Sequence, residues 1–161
     1  MRDPIREARR QWVAHGWDEA ADGMAMVTSL TRAHQLLSER IDAVLRPLGL
    51  TFARYEVLRL LSFTHDGALP MTKLGSLLQV HPTSVTSAVD RLELQGYVVR
   101  SRGSSDRRVV LAAITPSGLD VVERATLGLN TEIFEKPGID AVGELTGLLD
   151  ALRESHGDAT D

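Results

Sequence analysis

The chain contains no cysteine in its 161 residues. Disulfides, thiolate nucleophiles, cysteine-based zinc or iron–sulfur sites and thiol-based peroxide sensing are therefore excluded. Aromatic residues are scarce at 4%, and the apolar content is mostly Leu, Val and Ala, a mix that suits helices better than a β-sandwich. No apolar run approaches the roughly 18 residues that a membrane span needs. The opening segment MRDPIREARRQW lacks the apolar stretch of a signal peptide. The expectation is a soluble, cytoplasmic protein with no membrane association. Catalytic signatures are missing as well: there is no G-x-S-x-G, H-E-x-x-H, G-x-x-x-x-G-K or G-x-G-x-x-G. His15, His34, His65, His81 and His156 are scattered without ligand spacing. No enzyme, no metal site and no cofactor are expected.

What is present is enough for a packed core, with 43% hydrophobic and 25% charged residues. The length fits one domain, or one domain with terminal extensions. The net charge of −4 hides a strong polarity. Between Tyr97 and Arg108 lie Arg100, Arg102, Arg107 and Arg108 against the single acid Asp106, whereas Ser117 to Asp161 carries ten acids against Arg124, Lys136 and Arg153. A basic centre inside an acidic chain points to nucleic acid more than the total charge does. On charge alone, a solvated arginine cluster fits too.

Residues 1–22 mix charges with Trp12 and Trp17 and read as a short helix or ordered arm that docks on the body or on a partner subunit. From Gly23 to Arg46, the positions Val27, Leu30, His34, Leu37, Ile41, Val44 and Leu48 alternate spacings of three and four, the seam of an amphipathic helix ended by Pro47 and Gly49. A second helix is predicted from near Thr51, with Phe52, Tyr55, Leu58 and Phe63 inward, breaking by Asp66–Gly67. Thr72 is predicted to cap a short helix carrying Leu74, Leu77 and Leu78. His81 and Pro82 then open a further helix, Pro82–Gln95, which Gly96 ends. Valine-rich flanks at Tyr97–Arg102 and Arg108–Ile114, around Gly103-Ser104-Ser105-Asp106, predict a β-hairpin. Thr115-Pro116 caps the next helix, with Leu119, Val122, Thr126, Leu129 and Ile133 along one face. A last helix carries Val142, Leu145, Leu148, Leu149 and Leu152, and the tail frays from Ser155, leaving 156–161 loose.

The helix Pro82–Gln95 buries Val85, Ala88, Val89 and Leu92 on one side at about 100° per residue. Thr83, Ser84, Thr86 and Ser87, with Asp90 and Arg91, lie outside. Small hydroxyls near a helix N-terminus suit close approach to base edges and phosphates. Ordinary solvent-facing polar residues fit the same pattern. The hairpin shifts the balance: a polar-faced helix followed at once by a ribbon with Arg107 and Arg108 beside its tip is the winged-helix order, and such arginines can enter a minor groove. Asp106, alone among them, is expected to brace an arginine rather than meet phosphate.

The segment "LGSLLQVHPTSVTSAVDRLELQGYVVR", then "DRR", then "ITPSG" resembles the MarR (multiple antibiotic resistance regulator) family of winged-helix regulators, and the layout is similar over roughly residues 23–155. The resemblance implies a mainly α fold with a small β-hairpin wing, in the order α-α-(β)-α-α-β-β-α-α. It implies an intertwined homodimer with dimerisation helices at 23–50 and 116–155 and a winged helix-turn-helix lobe at 51–115. It further implies a DNA-binding regulator, a repressor of a pseudo-palindromic operator. By motif position Arg108 is the minor-groove arginine and Asp106 its brace. Ser87 stands where relatives often carry a basic residue, so base reading here leans on hydroxyls and shape. The competing reading is a winged-helix protein-interaction module without DNA binding, although such modules usually lose the wing arginines. Relatives also bind aromatic acids or acyl-thioesters between the dimer helices and the DNA-binding lobe. His34, Arg54 and Tyr55 are the candidate residues for such an effector pocket, and His34 fits a satisfied interface histidine equally well.

Overall fold

The computed structural model describes residues 3–78 and 82–158, and the turn expected at His81 lies outside them. The chain divides into two compact units at Ala53/Arg54. In the first, α1 (Pro4–Ala14) begins where Asp3 caps the amide of Ile5 at 3.0 Å and Pro4 takes the first turn. A break at His15–Trp17 closes edge-on, with the Trp12 and Trp17 rings 5.5 Å apart, and α2 (Asp18–Leu45) follows. The long helix thus starts five residues before Gly23, because the acids Asp18 and Glu19 favour a helix N-terminus. Arg9 reaches Asp22 at 2.6 Å between the two helices. A single 3-10 turn at Arg46–Leu48, holding Pro47, terminates α2.

The second unit contains all but the first two residues of α3 (Phe52–Phe63), then β1 (Ala68–Pro70), α4 (Met71–Leu78), α5 (Pro82–Leu94), β2 (Val98–Arg102), β3 (Val110–Ile114), α6 (Pro116–Leu129) and α7 (Val142–Ser155). The strands form one antiparallel sheet in the order β1-β3-β2, so the hairpin gains a third strand. The mainly helical winged helix-turn-helix expected from sequence is the observed fold. Its core gathers Val57, Leu58 and Leu61 of α3, Leu74 of α4, Val89 and Leu92 of α5, Val98 of β2, Ala112 of β3 and Val122, Ala125 and Leu129 of α6, all buried. Each fully buried Leu or Val contributes about 1.5–3 kcal/mol relative to exposure. On the α3–α6 side, Arg59 bridges Glu123 at 2.7 Å and the Tyr55 hydroxyl meets that of Thr126 at 3.1 Å.

Four local expectations change. Helix α4 starts at Met71, directly from β1, so Thr72 is its second residue and not its cap. Phe63 is 73% exposed, with the Arg59 guanidinium over its ring at 4.7 Å, and Phe52 is also exposed. A cation face-on to an aromatic ring replaces the apolar contact that periodicity implied. On α6, Val121 and Val122 turn inward while Leu119 stays exposed, and the helix continues through a π turn, Asn130–Phe134, that keeps Ile133 buried. Leu77 likewise faces outward.

Candidate nucleic-acid interface

Helix α5 anchors its inner face through Val85, Ala88, Val89 and Leu92, all buried. With those four fixed, Thr83, Ser84, Thr86, Ser87, Asp90 and Arg91 are exposed on the remaining arc. The helix N-terminus adds a partial positive charge beside the hydroxyls.

The wing follows from the corner after α5. Gly96 has φ +76°, the left-handed region open to glycine, and it turns the chain into β2. In the ribbon, Val98 pairs with Ile114 and Arg102 with Val110. The loop is longer than expected and spans 103–109, so Arg108, expected to open the returning strand, stands in it beside Arg107. Asp106 organises that loop. Its Oδ1 accepts the Arg108 backbone amide at 2.9 Å and Nε at 3.2 Å, and its Oδ2 accepts Nη2 at 3.2 Å. An Asp that bonds the amide two residues on is an Asx turn, a local device available to any short acidic side chain. The bonds from the Arg108 side chain and amide hold the Asp106 carboxyl below the ordinary range. Arg108 keeps a side chain 92% exposed. The carbonyl of Arg107 accepts from Arg102 Nη1 at 3.1 Å, which ties the loop to β2.

Arg100 departs from the basic cluster that composition suggested. It lies on β2, one of the two edge strands of the sheet, and its side chain turns onto α5. Nη2 donates to Asp90 at 2.6 Å and Nη1 to Glu93 at 2.7 Å, while its backbone amide reaches Glu93 at 3.2 Å. Burial works against its charge, but the bonds to Asp90 and Glu93 outweigh that and push the guanidinium above its usual range. The only signal in sequence is an acid pair one helical turn apart, at positions 90 and 93, ahead of a strand.

Of the residues expected around an effector, Arg54 donates to Gln95 at 3.2 Å and Tyr55 is buried against Thr126, both within the second unit. His34 belongs to the first unit, exposed on α2. Periodicity did not reveal an open cavity of about 560 Å³ within the first unit, lined by Ile5, Val27, Thr28, Thr31, Arg32 and Gln35. Among the described residues no cluster of His, Asp or Glu fits a metal ion, and no helix is long and apolar enough to cross a membrane.

A helix-turn-helix whose second helix runs straight into a braced, arginine-tipped hairpin defines a winged-helix DNA-binding protein. Residues 50–110 match the family model described as MarR family. Sco5413, a MarR family transcriptional regulator from Streptomyces coelicolor, is 46% identical, with a TM-score of 0.77 over 87% of this chain and 99% of that one. The HTH-type transcriptional regulator MhqR of Bacillus subtilis is 29% identical over 79% of this chain and 78% of its own. The transcriptional repressor CouR, solved on a 23-mer DNA duplex, is 26% identical with a TM-score of 0.68, covering 80% and 89% of the two chains. CouR from Rhodococcus jostii, bound to p-coumaroyl-CoA, shares the fold at 22% identity and a TM-score of 0.68 over 84% and 94%. The chain belongs to the MarR family of transcriptional regulators, and these relatives are regulators rather than enzymes.

Proposed function

We propose that the protein is a homodimeric, cytoplasmic repressor that binds a pseudo-palindromic operator and is released by a small aromatic or acyl-type effector. The observation that carries the reading is the pairing, in one compact unit, of a hydroxyl-rich exposed face on α5 with an Asp106-braced Arg108 at the wing tip. Thr83, Ser84, Thr86, Ser87 and Arg91 meet the major groove, while Arg107 and Arg108 meet phosphates and the minor groove. The exposed apolar seam of α2 and that of α7 support assembly into a dimer. Support for an effector comes from CouR, a relative of this fold solved with an acyl-CoA.

Fluorescence anisotropy across a salt series, on specific and random duplexes, tests the DNA-binding role. Arg108→Ala is expected to weaken both and to flatten the log–log salt slope by about one unit per subunit. Asp106→Ala is expected to behave as a milder Arg108→Ala although it removes a negative charge. Tighter binding by Asp106→Ala at every salt concentration would show the acid to be merely repulsive. Failure of the parent protein to bind any duplex would favour a protein-interaction module instead.

A further inference from the structure

In a winged helix, DNA affinity depends on the recognition helix and the wing reaching their grooves together. Between α5 and β2 the chain passes through a corner of three residues, Gln95 to Tyr97. The far side of that corner is fixed: Thr115 donates its hydroxyl to the Gly96 carbonyl at 2.7 Å and its amide to that of Tyr97 at 3.0 Å. Helix and ribbon are also tied directly to each other, by Arg100. Its guanidinium forks between two acids on successive turns of α5, at 2.6 and 2.7 Å, and its side chain is only 23% exposed. Its backbone amide, on an edge strand of the sheet, is bonded to the same Glu93. Planar, two-ended pairing of this kind fixes direction as well as distance, which a lysine ammonium does not.

We propose that Arg100, Asp90 and Glu93 form a clamp that sets the angle between recognition helix and wing, so that Arg100 is a positioning residue for DNA binding and not a phosphate contact. The proposal rests on the DNA-binding reading above. It also reverses the ordinary charge expectation. Asp90 and Glu93 lie on the exposed side of the helix, where acids repel phosphate. Removing them ought to tighten binding if charge alone mattered, and ought to loosen it if they hold the wing.

The test is a double-mutant cycle on the full chain: Arg100→Gln, Asp90→Asn/Glu93→Gln, and the triple variant, with Arg100→Lys as the charge-preserving control. Each is titrated by anisotropy with a fluorescein-labelled duplex of random sequence over a salt series, and thermal melting confirms that each is folded. The clamp requires Asp90→Asn/Glu93→Gln to bind about three- to ten-fold more weakly despite the added positive charge. It requires the triple variant to be no weaker than Arg100→Gln, since the members act as one unit. Arg100→Lys should resemble Arg100→Gln, and the salt slope of both should match the parent, unlike that of Arg108→Ala. Tighter binding on removing the acids, additive losses, or full rescue by lysine would each overturn the clamp. Loss of all binding by the parent would instead overturn the DNA-binding reading itself. Should Arg100→Gln fail to fold, the acid variant and the lysine variant still decide the question.

Discussion

Glu56 of α3 is half-buried, and desolvation raises its carboxyl above the ordinary value of 4.5. The sign of its effect follows. A carboxyl with a raised folded pKa favours the folded state fully below its unfolded pKa, and that contribution is lost as pH rises through the folded value. At neutral pH the buried charge is therefore a cost, and Glu56→Gln should raise the melting temperature there. The gain should vanish as pH falls below about 4.5, a comparison that scanning calorimetry at two pH values makes directly. Asp106 behaves in the opposite sense. Its carboxyl is held low by Arg108, so the wing brace stays ionised through the physiological range and fails only in acid, below the usual carboxylate value. Both groups illustrate the same rule at residue scale: the environment decides which protonation state the fold prefers.

At the scale of elements, the joint between wing and α6 depends on Gly118. A Cβ there would meet the Tyr97 carbonyl oxygen and come within 2.8 Å of the Ile114 side chain. Exposed helical glycines usually gain stability on becoming alanine, by about 0.5–1 kcal/mol. Here overpacking against backbone reverses the sign, and Gly118→Ala is expected to cost about 1–3 kcal/mol in urea unfolding. The rest of the joint is local chemistry. Thr115 accepts the Gly118 amide at 3.1 Å and Pro116 occupies the first helical position. The wing loop is local as well, since Asp106 and Arg108 are two residues apart. Such features need only neighbours in sequence to form.

For the whole molecule, the apolar seam of α2 is open in the single chain. Val27 is 57% exposed and Leu37 41%, and on α7 Leu148 reaches 65%. These exposed apolar residues are the ones the proposed dimer would cover. Leu30→Asp or Leu148→Asp is expected to weaken self-association on the order of 100-fold, because a charge then replaces an apolar contact on both copies. Sedimentation should show the parent at twice the chain mass across the micromolar range. A well-folded monomer of the parent would remove dimerisation from the proposed function.

Sequence determined what depends on near neighbours and on periodicity. The helix-turn-helix and hairpin order, the threonine–proline helix start, the inward face of α5 and the Asp-x-Arg spacing in the wing were all legible, because each is encoded within about one helical turn or one hairpin. Tertiary structure decided the rest. Phe63 leaves the core for a stacked Arg59, since a cation four residues away offers its ring a partner that apolar periodicity does not register. Leu119 stays exposed on α6 while Val121 is buried, a rotation of the helix that a three-and-four spacing of apolar residues does not fix by itself. Arg100, one of the four arginines that make the centre of the chain basic, is turned onto α5 by two acids on another element. Composition counts charges wherever they fall, and only folding decides which of them still face outward.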